Sequence, residues 1–222
     1  GLGAAAICAV RQDLNASELI VAAADRPRLF VNLAEAITAA GANIVGARVF
    51  TSRNGQALDV FYVQDATGQP FGAGSERALV RLADELAAAA RGEPVVRETQ
   101  RKTDLGRAAA FAITPAVMLD NEASETATVV EVSGSERPGL LAALARTLSD
   151  ADLAIISAHI DGYGERAVDA FYVLDGKGEK LTDTRRGNAL KATLLEDLAE
   201  AESDPAAGRR TRVARARASV AR

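Results

Sequence analysis

The stretch DVFYVQD at residues 59–65 returns at residues 169–175 as DAFYVLD, with five of seven positions identical. The echo extends further. Pro27 in ADRPRLF and Pro138 in SERPGLL stand 138 − 27 = 111 residues apart, whereas Asp59 and Asp169 stand 169 − 59 = 110 apart. A near-constant offset over about fifty residues marks a duplicated folding unit. Its single slip falls where both copies carry glycine (SRNGQA against GYGERA), the composition of a turn. The chain is therefore two copies of one small unit, and 222 residues leave room for two small domains.

Each copy reads as a mixed α/β unit. ELIVAAAD at 18–25 is an apolar run rich in strand formers, which predicts a buried strand. Pro27 then suits the first turn of a helix that carries Leu29, Phe30, Leu33 and Ile37 on one face and stops at Gly41. ANIVGARVF and QALDVFYVQ flank Asn54-Gly55, a hairpin signal because both residues tolerate positive φ. A second helix fits 75–90, with Ser75 as its N-cap and Leu79, Leu82 and Leu86 inward. After a charged connector at 91–110, FAITPAVML at 111–119 is expected to return to the same sheet. The order βαββαβ is the ferredoxin-like split unit, an α+β fold with helices on one face of an antiparallel sheet. Copy two matches, with a strand at 127–133, a helix at 138–150, a hairpin at 153–174 and a helix at 184–201; only RTRVARARASV remains for its last strand. The expected division is an N-terminal segment at 1–16, a first domain at 17–120 and a second at 121–222.

Several chemistries are excluded. The single histidine, His159, rules out metal sites built on several histidines and any nucleophile triad that does not use it. His159, aligned with Arg48, reads as a packed or surface strand residue. Neither G-x-x-x-x-G-K-[ST] nor a strand-following G-x-G-x-x-G is present. Cys8, the lone cysteine, lies in a poorly patterned stretch and is not expected to act as a nucleophile. With no paired cysteines, no basic flank before GLGAAAICAV and no apolar run near the ~18 residues of a membrane span, a cytoplasmic location off the membrane is expected. A net charge of −4 argues against a nucleic-acid partner. The cluster Arg209, Arg210, Arg212, Arg215 and Arg217 reads as a solvated tail or ragged edge strand.

Both copies place an acid, Arg and Pro between strand and helix: Asp25-Arg26-Pro27 and Glu136-Arg137-Pro138. A helix N-terminus presents unpaired N–H groups and the positive end of its dipole, so this turn can cradle a small carboxylate or simply start a helix.

DRPRLF…AGANIVGARVFTSRNGQALDVFYVQD and ERPGLLAALARTLSDADLAIISAHI…YGERAVDAFYVLD resemble tandem ACT domains, small amino-acid-sensing modules. The pair, its order and the intervening ITPAVMLDNEASETATVVEVSG are similar to the C-terminal end of the bifunctional uridylyltransferase/uridylyl-removing enzyme family, over roughly residues 17–201. The resemblance implies a regulatory module that binds glutamine as its effector and has no catalytic residue, metal or cofactor of its own. It further implies a parent enzyme that uses Mg and UTP and acts on the PII signal protein through separate catalytic domains. Mapped by position, the ligand turn is Asp25, Arg26 and Pro27 in copy one and Glu136, Arg137, Pro138, Gly139 and Leu140 in copy two. The start of the second strand adds Asn43 and Ile44, then Ala154 and Ile155; the Asn43 amide both donates and accepts, as glutamine requires. Arg28 stands where copy two has Gly139, and is expected either to close the copy-one cradle, which would make copy two the primary site, or to pair with a ligand carboxylate. ACT modules often assemble through sheet edges or helices, so a homodimer is a further implication. The alternatives are a free-standing tandem ACT protein acting on another partner, and an RNA-binding module of the same topology. The latter needs aromatics on one sheet face, but Phe61 and Tyr62 are neighbours in a strand, as are Phe171 and Tyr172, and must point oppositely.

Overall fold

The structure, a computed structural model, describes residues 3–52, 54–94, 114–135, 137–163 and 166–203. Eight strands form one antiparallel sheet: β1 (Ala5–Arg11), β2 (Ala16–Ala24), β3 (Asn43–Thr51), β4 (Gln56–Gln64), β5 (Ala116–Asp120), β6 (Thr128–Ser135), β7 (Leu153–Tyr163) and β8 (Arg166–Asp175). Their spatial order is β1-β2-β4-β3-β7-β8-β6-β5. The helices are α1 (Leu29–Ala39), α2 (Glu76–Arg91), α3 (Leu140–Asp150) and α4 (Thr184–Ser203). They pack in the row α2-α1-α3-α4.

Strand alternation fixes which face the helices cover. In β4, Ala57, Asp59, Phe61 and Val63 are buried, while Leu58 points to the open face. Phe61 stacks on Phe30 of α1 at 5.6 Å between ring centroids, tying the helix layer to the sheet. Ser75 caps α2 by accepting from the Ala78 amide, as its position predicts, and Gly92 ends the helix in the left-handed region at φ 86°.

Two ferredoxin-like α+β units are present, but each takes its fourth strand from ahead of it. The segment expected at 111–119 to return to the first sheet instead supplies β5, which pairs with β6 in register Val117↔Val132. The first unit's edge is filled by β1, inside the stretch expected to be an N-terminal segment at 1–16. The reason is loop length: one 3-10 turn, with Asn15 left-handed at φ 48°, links β1 to β2, and such short connections force neighbouring strands into a hairpin. The repeat records this too, because Ala5 and Ala116, the first residues of β1 and β5, stand 116 − 5 = 111 apart. The boundary between units therefore falls ahead of β5 rather than at 120/121. The strand expected from RTRVARARASV and the basic cluster lie outside the described residues.

The copies meet about a pseudo-twofold axis. β3 pairs antiparallel with β7, and Arg48 is the register partner of His159, its own counterpart at 159 − 48 = 111. On the helix side, Arg146 donates to Glu35 Oε1 at 2.6 and 2.9 Å, and these too are counterparts, 146 − 35 = 111 apart. Pairing two first copies would set Glu35 against Glu35, and two second copies Arg146 against Arg146. Half-buried like charges disfavour both, so this contact specifies the unlike pair.

Candidate functional site

The turns that precede α1 and α3 share an unusual backbone. Residue Ncap is left-handed in both, Arg28 at φ 65° and Gly139 at φ 80°, and neither helix has a side-chain cap. The Leu29 amide donates to Arg26 O and the Leu140 amide to Arg137 O, each at 3.1 Å. The next amides in each first turn have no acceptor within the helix, leaving two N-termini that can receive an anion. Arg28 adopts with a side chain what Gly139 adopts without one, a conformation that costs about 1 kcal/mol for an L residue.

Because the units join through β3 and β7, the turn of copy one faces the strand start of copy two. A cavity of about 490 Å³ lies there, within the usual range for a small-ligand site. Asp25, Arg26 and Pro27 line it from one unit, Ala154 and Ile155 from the other. The two halves of the expected site thus come together crosswise rather than within one copy. A register shift between Ile155 and Ser157 breaks the β7–β8 ladder at the cavity wall, and the equivalent shift between Ile44 and Gly46 breaks β3–β4; such bulges release backbone polar groups from pairing.

Arg28 does not fill this cradle. Its guanidinium is held on Asp150 Oδ1 at 2.9 Å and near Ser149 Oγ at 3.3 Å, across the seam, so it stands at the cavity's edge rather than over the turn. Arg26 reaches to the end of α2, donating from Nη2 to Ala89 O at 2.7 Å, where a cation suits the helix dipole. Its Nε is buried without a hydrogen-bond partner. Arg137 repeats the contact in copy two, donating from Nη2 to Asp197 O at 3.2 Å.

Asp59 sits in the same cavity, 1% exposed, with Oδ1 unpartnered. Burial, and secondarily the neighbouring Asp25 charge, push its pKa up to about 7. Burial also raises Asp25. Asp175 is the contrasting carboxylate: backbone amides of Glu179 and Lys177 hold its pKa below the usual range. Sequence reasoning missed Asp59 as a site residue, although the signal was present: a carboxylate alternating with Phe61 and Val63 on a core face, repeated as Asp169 beside Phe171.

The second turn contributes Arg137, Pro138, Gly139 and Leu140, and the pseudo-twofold axis relates it to Asn43 and Ile44 as the first turn is related to Ala154 and Ile155. A Cβ at Gly139 would lie 3.3 Å from Thr38 Cγ2 at the end of α1, so this turn also abuts the other unit. Glu136 lies outside the described residues. His159 is exposed on the open face, its ring edge-on to Tyr172 at 6.0 Å, on the side of the sheet opposite the helices and the cavity. Phe61 and Phe171 are fully buried, so the aromatic pairs do split between faces. Burial pushes the Cys8 thiol up to about 11, leaving it protonated at neutral pH. Among the described residues no cluster of His, Cys, Asp and Glu could hold a metal ion, and no helix is long and apolar enough to cross a membrane.

Comparison with known proteins locates this architecture. Residues 123–195 match the family model for the ACR family N-terminal ACT domain. The whole chain is 73% identical to part of the bifunctional uridylyltransferase/uridylyl-removing enzyme of Phenylobacterium zucineum, covering 24% of that protein. It is 62% identical over 221 residues to the same enzyme of Caulobacter vibrioides, covering 99% of this chain and 23% of that protein. The chain thus spans about a quarter of the length of the curated relatives it matches. Among solved structures, aspartate kinase from Synechocystis superposes with a TM-score of 0.43 and 15% identity, covering 83% of this chain and 27% of that one, too loose a likeness to bear on function.

Proposed function

As a tandem ACT region of the bifunctional uridylyltransferase/uridylyl-removing enzyme family, the chain is, we propose, a glutamine sensor whose ligand sits in the seam between its two units. The reading is of a regulatory module: the chain spans about a quarter of the enzymes it matches, and residues 123–195 match an ACT domain model. The observation that carries the reading is the crosswise cavity, where the uncapped α1 turn of one unit faces the broken strand start of the other. The ligand carboxylate takes the first-turn amides of α1, joined by Arg26 Nε, and the side-chain amide takes backbone groups at Ala154 and Ile155.

A ligand that bridges the seam changes how the units pack, and it can bias an attached enzyme only by its difference in affinity for the two packings, typically ~1–3 kcal/mol. In the whole protein that bias falls between attaching UMP to the PII protein and removing it. The cavity is built within one chain, so binding requires no second copy. Isothermal titration of the chain with glutamine, against glutamate and asparagine, tests the reading. Saturable binding selective for glutamine is expected; equal binding of all three, or of none, rejects it.

A further inference from the structure

We propose that Asp59 reads the α-ammonium group of the ligand, so that the seam accepts zwitterionic α-amino acids and rejects the corresponding acids that lack the amine. The proposal rests on the amino-acid reading above and adds to it the residue that makes the ligand class an amino acid rather than a carboxylate.

Two observations converge on it. Asp59 is a buried carboxylate whose Oδ1 has no hydrogen-bond partner, on a core-facing strand position where its neighbours Ala57, Phe61 and Val63 are all apolar and buried. Packing alone gives no reason for a charge there, because a buried carboxylate without a partner is costly. It lines the same cavity as Arg26, whose Nε is buried without a hydrogen-bond partner. An orphaned acceptor and an orphaned donor on two residues lining one cavity are complementary to a molecule that carries both an ammonium and a carboxylate.

The charges that face Asp59 agree. From the β2–α1 turn come Asp25, Arg26 and Arg28; from the other unit come Asp152 ahead of β7 and Asp175 at the end of β8. From α1 and β3 the lining side chains are Leu29, Phe30, Val31, Val49 and Thr51, none of which titrates near neutrality. The Arg26 Nη2 is engaged on the α2 carbonyl and the Arg28 guanidinium on Asp150, which leaves Arg26 Nε for a ligand carboxylate and neither arginine paired with Asp59. Asp175 is satisfied by its own turn and Asp152 packs against Gly176. Asp59, reinforced by Asp25, is therefore the carboxylate left to receive a cation, and a cation seated on it is largely removed from water, where the pairing is strongest.

Pairing with an ammonium needs the ionised carboxylate, so binding and deprotonation of Asp59 are linked. With the empty site titrating near pH 7, affinity falls as pH drops below that value and levels off above it.

The test compares the chain and Asp59→Asn in isothermal titrations at about pH 6, 7 and 8, using L-glutamine and glutaramic acid, which is glutamine without its amine. For the unaltered chain, glutamine affinity is expected to fall about fivefold from pH 7 to 6 and about tenfold from pH 8 to 6, and glutaramic acid to bind at least about tenfold more weakly at pH 8. Asp59→Asn is expected to erase both the pH dependence and the preference for the amine while leaving glutaramic acid affinity unchanged. The two ligands on the unaltered chain carry the test even if the variant does not fold. If glutamine binds with no preference over glutaramic acid, or Asp59→Asn binds it as tightly as the unaltered chain, the ammonium role falls and the glutamine reading stands. If another α-amino acid binds in glutamine's place with the same dependence on Asp59, the ammonium role stands and the choice of glutamine falls. If no amino acid binds, both fall.

Discussion

Asp59→Asn should make the chain more stable at neutral and alkaline pH, by an amount that depends on pH in a defined way. The side chains are nearly isosteric, so packing against Phe61 and Ala57 is preserved while the buried titration is removed. Unfolded, Asp59 titrates near 3.8; folded, near 7. Between those values the folded chain holds a proton that the unfolded chain has released. Stability contributed by this group is therefore fully present below about pH 4, declines as pH rises by about 1.4 kcal/mol per unit, and is gone above about pH 7. From pH 5 to 8 the stability of Asp59→Asn relative to the unaltered chain should rise on the order of 3 kcal/mol, the share of that window below the folded pKa. Urea denaturation of both proteins at several pH values measures this difference, and titrations common to both cancel in it. A difference that does not change with pH would mean that Asp59 is solvated or paired in solution, and the reasoning about its burial would be wrong.

Other contacts make sharper claims about the seam and the helix ends. Glu35→Arg places like charges on Arg146 across the half-buried interface and should destabilise the chain by about 2 kcal/mol; adding Arg146→Glu should restore most of it, which a double-mutant cycle in urea resolves. Gly92→Ala forces a side chain into a left-handed position where its Cβ would meet the Arg26 guanidinium, so the cost in thermal denaturation should exceed the ~1 kcal/mol of the backbone term alone.

What the sequence disclosed and what it concealed divide along physical lines. The hairpins and helices were legible because their signals are local: Asn54-Gly55 for a turn, Ser75 for a cap, the Leu29-Phe30-Leu33-Ile37 stripe for a buried face. The origin of each unit's edge strand was not, because β1 is alanine-rich and weakly patterned and β5 is five residues long. Each could pair on either side, and the short loops into β2 and β6 decide. The site was half legible. The turns announced themselves by residue type and repetition, but the partner of each turn depends on how β3 meets β7, a long-range pairing set by the Glu35–Arg146 and β-ladder contacts. Arg28 shows the limit of arguing from one turn at a time: its side chain is occupied by Asp150, 122 residues away in sequence. Asp59 was visible as the first residue of the repeated heptad, and the buried apolar alternation that follows it, Phe61 and Val63, marks the stretch as core rather than as a site.

The most direct test of a ligand in the seam is a two-dimensional amide NMR titration of the chain with glutamine. Shifts concentrated at Phe30 and Val31 in the first turn of α1 and at Ala154 and Ile155 at the start of β7 are expected, on opposite sides of the same cavity. Shifts confined to the open sheet face around Tyr62 and Tyr172, or no shifts at saturating glutamine, would contradict it.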